Sequence, residues 1–71
     1  MASEVTAEMV ANVVQVVAPV GTEVAAGDTL LLLESMKMEI PVLAETGGTV
    51  SEVRVEPGDV VQEGDVMVVL A

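Results

Sequence analysis

The chain has 71 residues and a formal net charge of −10, with 12 acidic and 2 basic residues. A chain this short forms one small domain near the lower limit of unaided folding, so we expect residues 1–71 to be a single domain. The negative charge excludes binding to nucleic acids, which needs clustered Lys and Arg, and binding to anionic membrane surfaces. With no cysteine and no histidine, disulfides and a Ser-His-Asp triad are excluded too.

The N-terminal segment, MASEVTAEMV, lacks the basic stretch and continuous apolar stretch of a signal peptide. The apolar runs of the chain are too short to span a bilayer. Mutual repulsion between the acidic surfaces of two copies favours a monomer. We therefore expect a cytoplasmic monomer.

Apolar and polar residues alternate over short stretches that glycine, proline and aspartate interrupt, which is typical of β-strands. No segment shows the period of an amphipathic helix. The pattern predicts short extended pieces around Val24 and Val61. It predicts longer strands at residues 5–7, 12–17, 29–35, 38–43, 48–55 and 66–70.

The chain contains an internal repeat with an offset of 37 residues, which relates residues 20–28, VGTEVAAGD, to residues 57–65, PGDVVQEGD. Neither copy could bury its apolar face alone, so the two copies must pack together as a small flattened barrel or sandwich. The equivalent glycines Gly27 and Gly64 are predicted to have positive φ angles. At the same offset, position 37 corresponds to the two chain ends.

The residue at that position is Lys37, the only lysine of the chain. Alternation on both sides predicts that Met36 and Lys37 form a two-residue hairpin turn. Counting outwards from the turn, the predicted pairs are Ser35 with Met38, Glu34 with Glu39, Leu33 with Ile40, Leu32 with Pro41, and Leu31 with Val42.

Such a hairpin turn is locally unfavourable. Two-residue turns need positive φ angles and usually contain Asn or Gly, whereas this one contains Met36 and Lys37. The opposed Glu34 and Glu39 are like charges, which destabilises the ladder. A local conflict in an otherwise consistent β sequence indicates a functional site. The alternative is a longer, ordinary turn in which Lys37 only increases solubility.

Residues 34–39, ESMKME, resemble the E-[AS]-M-K-M-E signature of biotinyl domains, the biotin carboxyl carrier members of the biotinyl/lipoyl attachment family. The similarity includes VAAGDTLLLL at residues 24–33 and a series of Gly, Val and Asp positions from 48 to 65. It covers about residues 7–70 without an insertion. The chain resembles the short, free-standing biotinylated proteins more than a segment of a large enzyme.

The resemblance implies an all-β flattened barrel, also called a barrel-sandwich hybrid, of two four-stranded antiparallel sheets with pseudo-two-fold symmetry. It implies that a biotin protein ligase attaches biotin to Lys37. The biotin then carries a carboxyl group between biotin carboxylase and carboxyltransferase subunits, while the chain itself is not an enzyme. Met36 and Met38 resemble the methionines that help ligase recognition and carboxyl transfer. The residues implied in recognition are Glu34, Ser35, Met36, Met38 and Glu39.

Two other functions compete with a biotin carrier. A lipoyl carrier has the same fold and the same hairpin lysine, but its tip usually reads D-K-A where this chain has M-K-M at residues 36–38. The other possibility is a binding module of the same fold that is never modified. No metal site is expected, because the aspartates follow glycines in turns and lack the spacing of a calcium loop.

Overall fold

The computed structural model describes residues 2–71; Met1, the first residue of the predicted domain, lies outside the described residues. Eight strands account for the regular structure of that part. They are β1 (Ser3–Thr6), β2 (Ala11–Val16), β3 (Glu23–Val24), β4 (Thr29–Ser35), β5 (Met38–Leu43), β6 (Gly48–Val53), β7 (Val60–Val61) and β8 (Val66–Leu70).

The strands form two four-stranded antiparallel sheets. We call the sheet with the order β5-β4-β2-β7 the hairpin sheet, and the sheet with the order β1-β8-β6-β3 the terminal sheet. The predicted all-β fold class is therefore confirmed. Along their three principal axes the Cα positions extend over 32 × 18 × 17 Å, an elongated shape.

The repeat is visible in the sheet order, because a shift of 37 residues converts β1–β4 into β5–β8 and one sheet into the other. The register agrees at the level of residues: Ser3 pairs with Leu70 as Ile40 pairs with Leu33. Each half contributes two strands to each sheet. Neither half can therefore complete a sheet alone, which explains why both copies are needed.

The core lies between the two sheets and is entirely aliphatic. Leu31 and its repeat equivalent Val68 both have an exposed fraction of 0%. No polar or charged side chain is buried among residues 2–71. The largest fully buried side chains are Leu30, Leu31, Val50, Val61, Met67 and Val68.

Equivalent glycine turns connect the sheets. Gly27 and Gly64 have φ angles of 94° and 91°, which confirms the predicted positive values. In each turn the following aspartate accepts a hydrogen bond from the backbone N–H three residues earlier, at 2.8 Å for Asp28 and 2.9 Å for Asp65. The Gly27 N–H donates to the Ala44 carbonyl of the other half at 2.7 Å. These turns therefore join the two halves as well as reversing the chain.

Three strands differ at their ends from the predicted ranges. The predicted strands 5–7 and 12–17 run from 3 to 6 and from 11 to 16, and the predicted strand 48–55 ends at Val53. The Arg54 N–H still donates to the Met67 carbonyl of β8 at 2.8 Å. The chain then leaves the terminal sheet, and the Gly58 N–H donates to the Val13 carbonyl of the hairpin sheet at 2.8 Å. Apolar alternation continues through such a crossing and so does not reveal it.

Candidate functional site at the Lys37 hairpin

Met36 and Lys37 form the two-residue turn between β4 and β5, as predicted. Their φ angles are 53° and 65°, and they are the only non-glycine residues among residues 2–71 with positive φ. Positive values at both central positions are those of a type I′ turn, which matches the twist of the two strands. An L-residue other than glycine in this conformation costs about 1–2 kcal/mol. The tip of the hairpin is therefore locally strained.

The ladder below the turn holds that strain in one register. The predicted pairs are all observed: Ser35 with Met38, Glu34 with Glu39, Leu33 with Ile40, Leu32 with Pro41, and Leu31 with Val42. Leu31 and Leu33 are buried in the core, and the facing Ile40 and Val42 pack against it. Because these inward side chains fix the register, the position of Lys37 at the apex is fixed too.

The side chains at the apex lie in solvent. Lys37 is exposed, and the exposed fractions of Met36 and Met38 are 93% and 64%. Within residues 2–71 the one ion pair joins Arg54 to Glu52, so no carboxylate of this part of the chain pairs with the Lys37 ammonium. A group attached to Nζ by an amide bond would extend outward without displacing the fold. The hairpin therefore fits a covalently attached prosthetic group.

The remaining predicted recognition residues lie immediately below the apex. Glu34 and Glu39 are directly opposite each other and both exposed, and Ser35 is half-buried opposite Met38. Like charges facing each other across a ladder destabilise it modestly. The structure thus brings all six predicted site residues together on one hairpin, with two carboxylates beside the amine.

The other basic residue has a different environment. Arg54 follows β6, and its Nε donates to Glu52 Oε2 at 2.8 Å. This hydrogen bond, with the negative charge of Glu52, raises the pKa of Arg54 above its ordinary value. Arg54 is exposed and lies one residue beyond the end of β6, although the predicted strand 48–55 included it. Arg54 is engaged within the terminal sheet, whereas Lys37 projects alone.

Two further features bear on function. Among residues 2–71 there is no cluster of three or more side chains suited to hold a metal ion. No helix in that part is long and apolar enough to cross a membrane.

The profile of the Biotin_lipoyl family, described as "Biotin-requiring enzyme", matches residues 1–70. The chain belongs to this family. It is 55% identical over 71 residues to the biotinylated protein TB7.3 homolog of Mycobacterium leprae, an alignment that covers 100% of both chains. It is 42% identical over 67 residues to the biotin/lipoyl attachment protein of Bacillus subtilis, covering 94% of this chain and 92% of that protein.

The fold also matches a domain of a large enzyme. The crystal structure of Kluyveromyces lactis urea carboxylase superimposes with a TM-score of 0.94 and 34% sequence identity. The match covers 100% of this chain but only 6% of that enzyme. The predicted family and fold are thus confirmed, and so is the similarity to short, free-standing relatives.

Proposed function

We propose that this protein is a biotin carrier and that Lys37 is the residue to which biotin is attached. The predicted carrier function and its cofactor, biotin, are confirmed by the match to a family described as biotin-requiring and by the biotinylated relative of equal length. The lipoyl alternative is not favoured. The attachment residue is our own assignment, and the observation that carries it is a lone, exposed lysine at the apex of a fixed turn.

The hairpin suits a tethered group for two physical reasons. The ladder below Lys37 is fixed by buried residues, so a modifying enzyme meets the amine in one geometry. The lysine side chain itself is exposed and makes no ion pair within residues 2–71. After losing a proton to the ligase, Nζ attacks the activated carboxyl carbon of biotin, the activating group leaves with the bonding electrons, and a second proton is released. A neutral amide thus replaces the charged ammonium. The product is a flexible arm on a stiff support.

The residues around the amine contribute contacts. Met36 and Met38 present unbranched, polarisable side chains that adapt to more than one partner surface. Glu34 and Glu39 place two carboxylates next to the amine, which favours a partner surface with basic residues. When bound, biotin accepts a carboxyl group at one enzyme site and delivers it at another. The carrier itself catalyses neither step.

The partners that follow from this function are a biotin protein ligase and the biotin carboxylase and carboxyltransferase subunits of a carboxylase. Carboxylase domains with the same fold support this choice. The ligase, the particular subunits, the monomeric state, the cytoplasmic location and the single-domain boundary at residues 1–71 stay predictions.

The test is co-expression with an active biotin ligase, followed by intact-mass measurement and a streptavidin blot. We expect one biotin per chain in the wild type and none in Lys37→Arg, whose fold should be unchanged because residue 37 is exposed. The double variant Lys37→Arg/Arg54→Lys keeps one lysine but moves it to the terminal sheet, and it should also remain unlabelled. An unlabelled wild type, or label on either variant, would refute the assignment.

A further inference from the structure

The outward surface of the hairpin sheet carries a group of apolar side chains near the Glu34–Glu39 pair, with the polar residues Asn12 and Gln15 beside them. Leu32 lies between Gln15 and Pro41 in the ladder, so these three side chains share the outer face. Val17, with an exposed fraction of 43%, continues this surface along β2. Val60, 61% exposed, lies at its edge, in the ladder row of Glu34 and Glu39 and next to Asn12. We call this surface the apolar face and define it as Val14, Val17, Leu32, Pro41 and Val60.

The equivalent surface of the terminal sheet is polar. Val69 lies between Glu52 and Glu4, as Leu32 lies between its neighbours, but here both flanking residues are charged. Arg54 joins them through its bond to Glu52, and the charge of Glu4 adds to the raised pKa of Arg54. At the repeat offset, the residues equivalent to the apolar face are Ser51, Arg54, Val69, Glu4 and Glu23.

Comparing the outer faces of the two sheets shows which residue types the shared backbone accepts at equivalent positions. Both faces have the same ladder and the same bulge, so the backbone accepts Glu at position 4 where it has Pro at position 41. On the terminal sheet, Val69 is buried beneath its charged neighbours and has an exposed fraction of 9%. On the hairpin sheet, the equivalent Leu32 is half-buried. A contiguous exposed apolar surface marks an interaction site more often than chance placement does. The exposed apolar side chains of this face therefore suit an interaction surface.

We infer that the apolar face is the docking surface of the enzyme that acylates Lys37. This inference rests on the proposed function. The apolar face is continuous with the lysine through the hairpin, since Leu32 and Pro41 lie on the two strands that carry the turn. An unmodified lysine side chain is short, so the enzyme that acylates it must lie directly against the hairpin. Once the arm is attached, later partners reach the biotin without approaching as closely.

The chemistry of the partner surface follows from the two parts of this site. An apolar patch of the enzyme would cover Leu32, Pro41 and Val17, and basic residues at its rim would meet Glu34 and Glu39. Such an apolar centre with a charged rim is the usual composition of a specific protein interface. The rim steers the encounter with a carrier of net charge −10, and the apolar centre sets the lifetime of the complex.

The test exchanges residues between the two faces. The variant Val17→Arg/Pro41→Glu introduces the two residue types that the fold already carries at the equivalent positions, Arg54 and Glu4. It leaves the net charge unchanged. The matched control, Arg54→Val/Glu4→Pro, makes the reverse exchange on the terminal sheet. Both are compared with the wild type for the rate of biotin incorporation by the ligase as a function of carrier concentration, and thermal unfolding checks that each is folded.

We expect the apolar-face variant to raise the KM for the carrier about tenfold or more, which is the loss of one strong interface contact. Its kcat should be unchanged, because Lys37 is untouched. The control should stay within roughly twofold of the wild type. An apolar-face variant with the wild-type KM, or an equal rise in the control, would overturn the inference while labelling of the wild type upholds the proposed function.

Two other occupants give different results. If a second copy covers the apolar face, the wild type is a dimer in sedimentation velocity and the variant a monomer. If a carboxylase covers it, the variant is labelled normally but its biotinylated form fails in carboxylation. Either result assigns the apolar face to another partner and overturns the inference.

Discussion

The Lys37 hairpin and the two chain ends occupy equivalent places in the fold, yet only one of them has a turn. In the hairpin sheet Leu33 and Ile40 pair just below the turn, and in the terminal sheet Leu70 and Ser3 pair where the chain ends. The strained residues at the apex are therefore specific to the hairpin, as expected for the attachment site proposed above.

The Lys37 hairpin and the chain ends also differ in the charges of the neighbouring strand residues. The positions equivalent to Glu34 and Glu39 are Ala71 and Ala2. In the ladders of residues 2–71, directly opposed carboxylates occur only at Glu34 and Glu39, next to the turn that carries Lys37. The symmetric scaffold thus provides a comparison for the strand residues below the turn, because Glu34, Glu39 and Ile40 have the counterparts Ala71, Ala2 and Ser3.

The largest effect on stability should come from the shared core. Leu31→Ala should lower the free energy of unfolding by about 2–5 kcal/mol, because Leu31 is fully buried. Val68→Ala, at the equivalent position, should cost less because a smaller side chain is removed. Urea denaturation of both variants should show one cooperative transition, since each half contributes to both sheets. Two separate transitions would contradict the interdependence of the halves.

The glycine turns should give the next largest effect. Gly27→Val and Gly64→Val each force a β-branched residue into a φ angle above 90°, which should lower the free energy of unfolding by about 1–3 kcal/mol. The two melting temperatures should fall by similar amounts. Ala26→Val, next to one of the turns and without a positive φ angle, serves as the control. A melting temperature unchanged by either glycine substitution would count against the repeat.

The turn at Lys37 should respond in the opposite direction. Met36→Asn should stabilise the protein by about 0.5–1 kcal/mol, because Asn tolerates the left-handed conformation better than Met. The same substitution should slow biotinylation by removing an exposed contact side chain. Met38→Asn, a strand position, should slow biotinylation without stabilising the fold. If Met36→Asn is labelled at the wild-type rate, Met36 has no role in recognition.

The smallest effect concerns the opposed carboxylates. Glu39→Gln should raise the free energy of unfolding by about 0.2–1 kcal/mol at low salt, and the gain should shrink at high salt as the charges are screened. Glu63→Gln removes the same charge from an exposed turn and should change stability less. Chemical denaturation at two ionic strengths measures both. A gain that is independent of salt would show that the Glu34–Glu39 repulsion is not its source.

Much of the candidate site was predictable because its determinants are close in sequence. Alternation around the turn gave the register of five residue pairs, and all five are observed. The unfavourable turn pair Met36 and Lys37 predicts local strain at the apex, and both residues have positive φ angles. The apolar face was not predicted, although the repeat offset makes Pro41 equivalent in sequence to Glu4. The sequence does not show that these two positions lie on the outer faces of equivalent sheets, because this depends on how the strands pair.

By itself, the sequence determined the β-strands, the glycine turns, the repeat and the exposed lysine, because periodicity and turn chemistry act over a few residues. Only the tertiary structure decided which strands share a sheet and where the chain crosses between sheets. Those pairings join residues far apart in the chain, such as Ser3 with Leu70, and they depend on burying both halves at once. The contrast between the two outer faces exists only once that packing has formed.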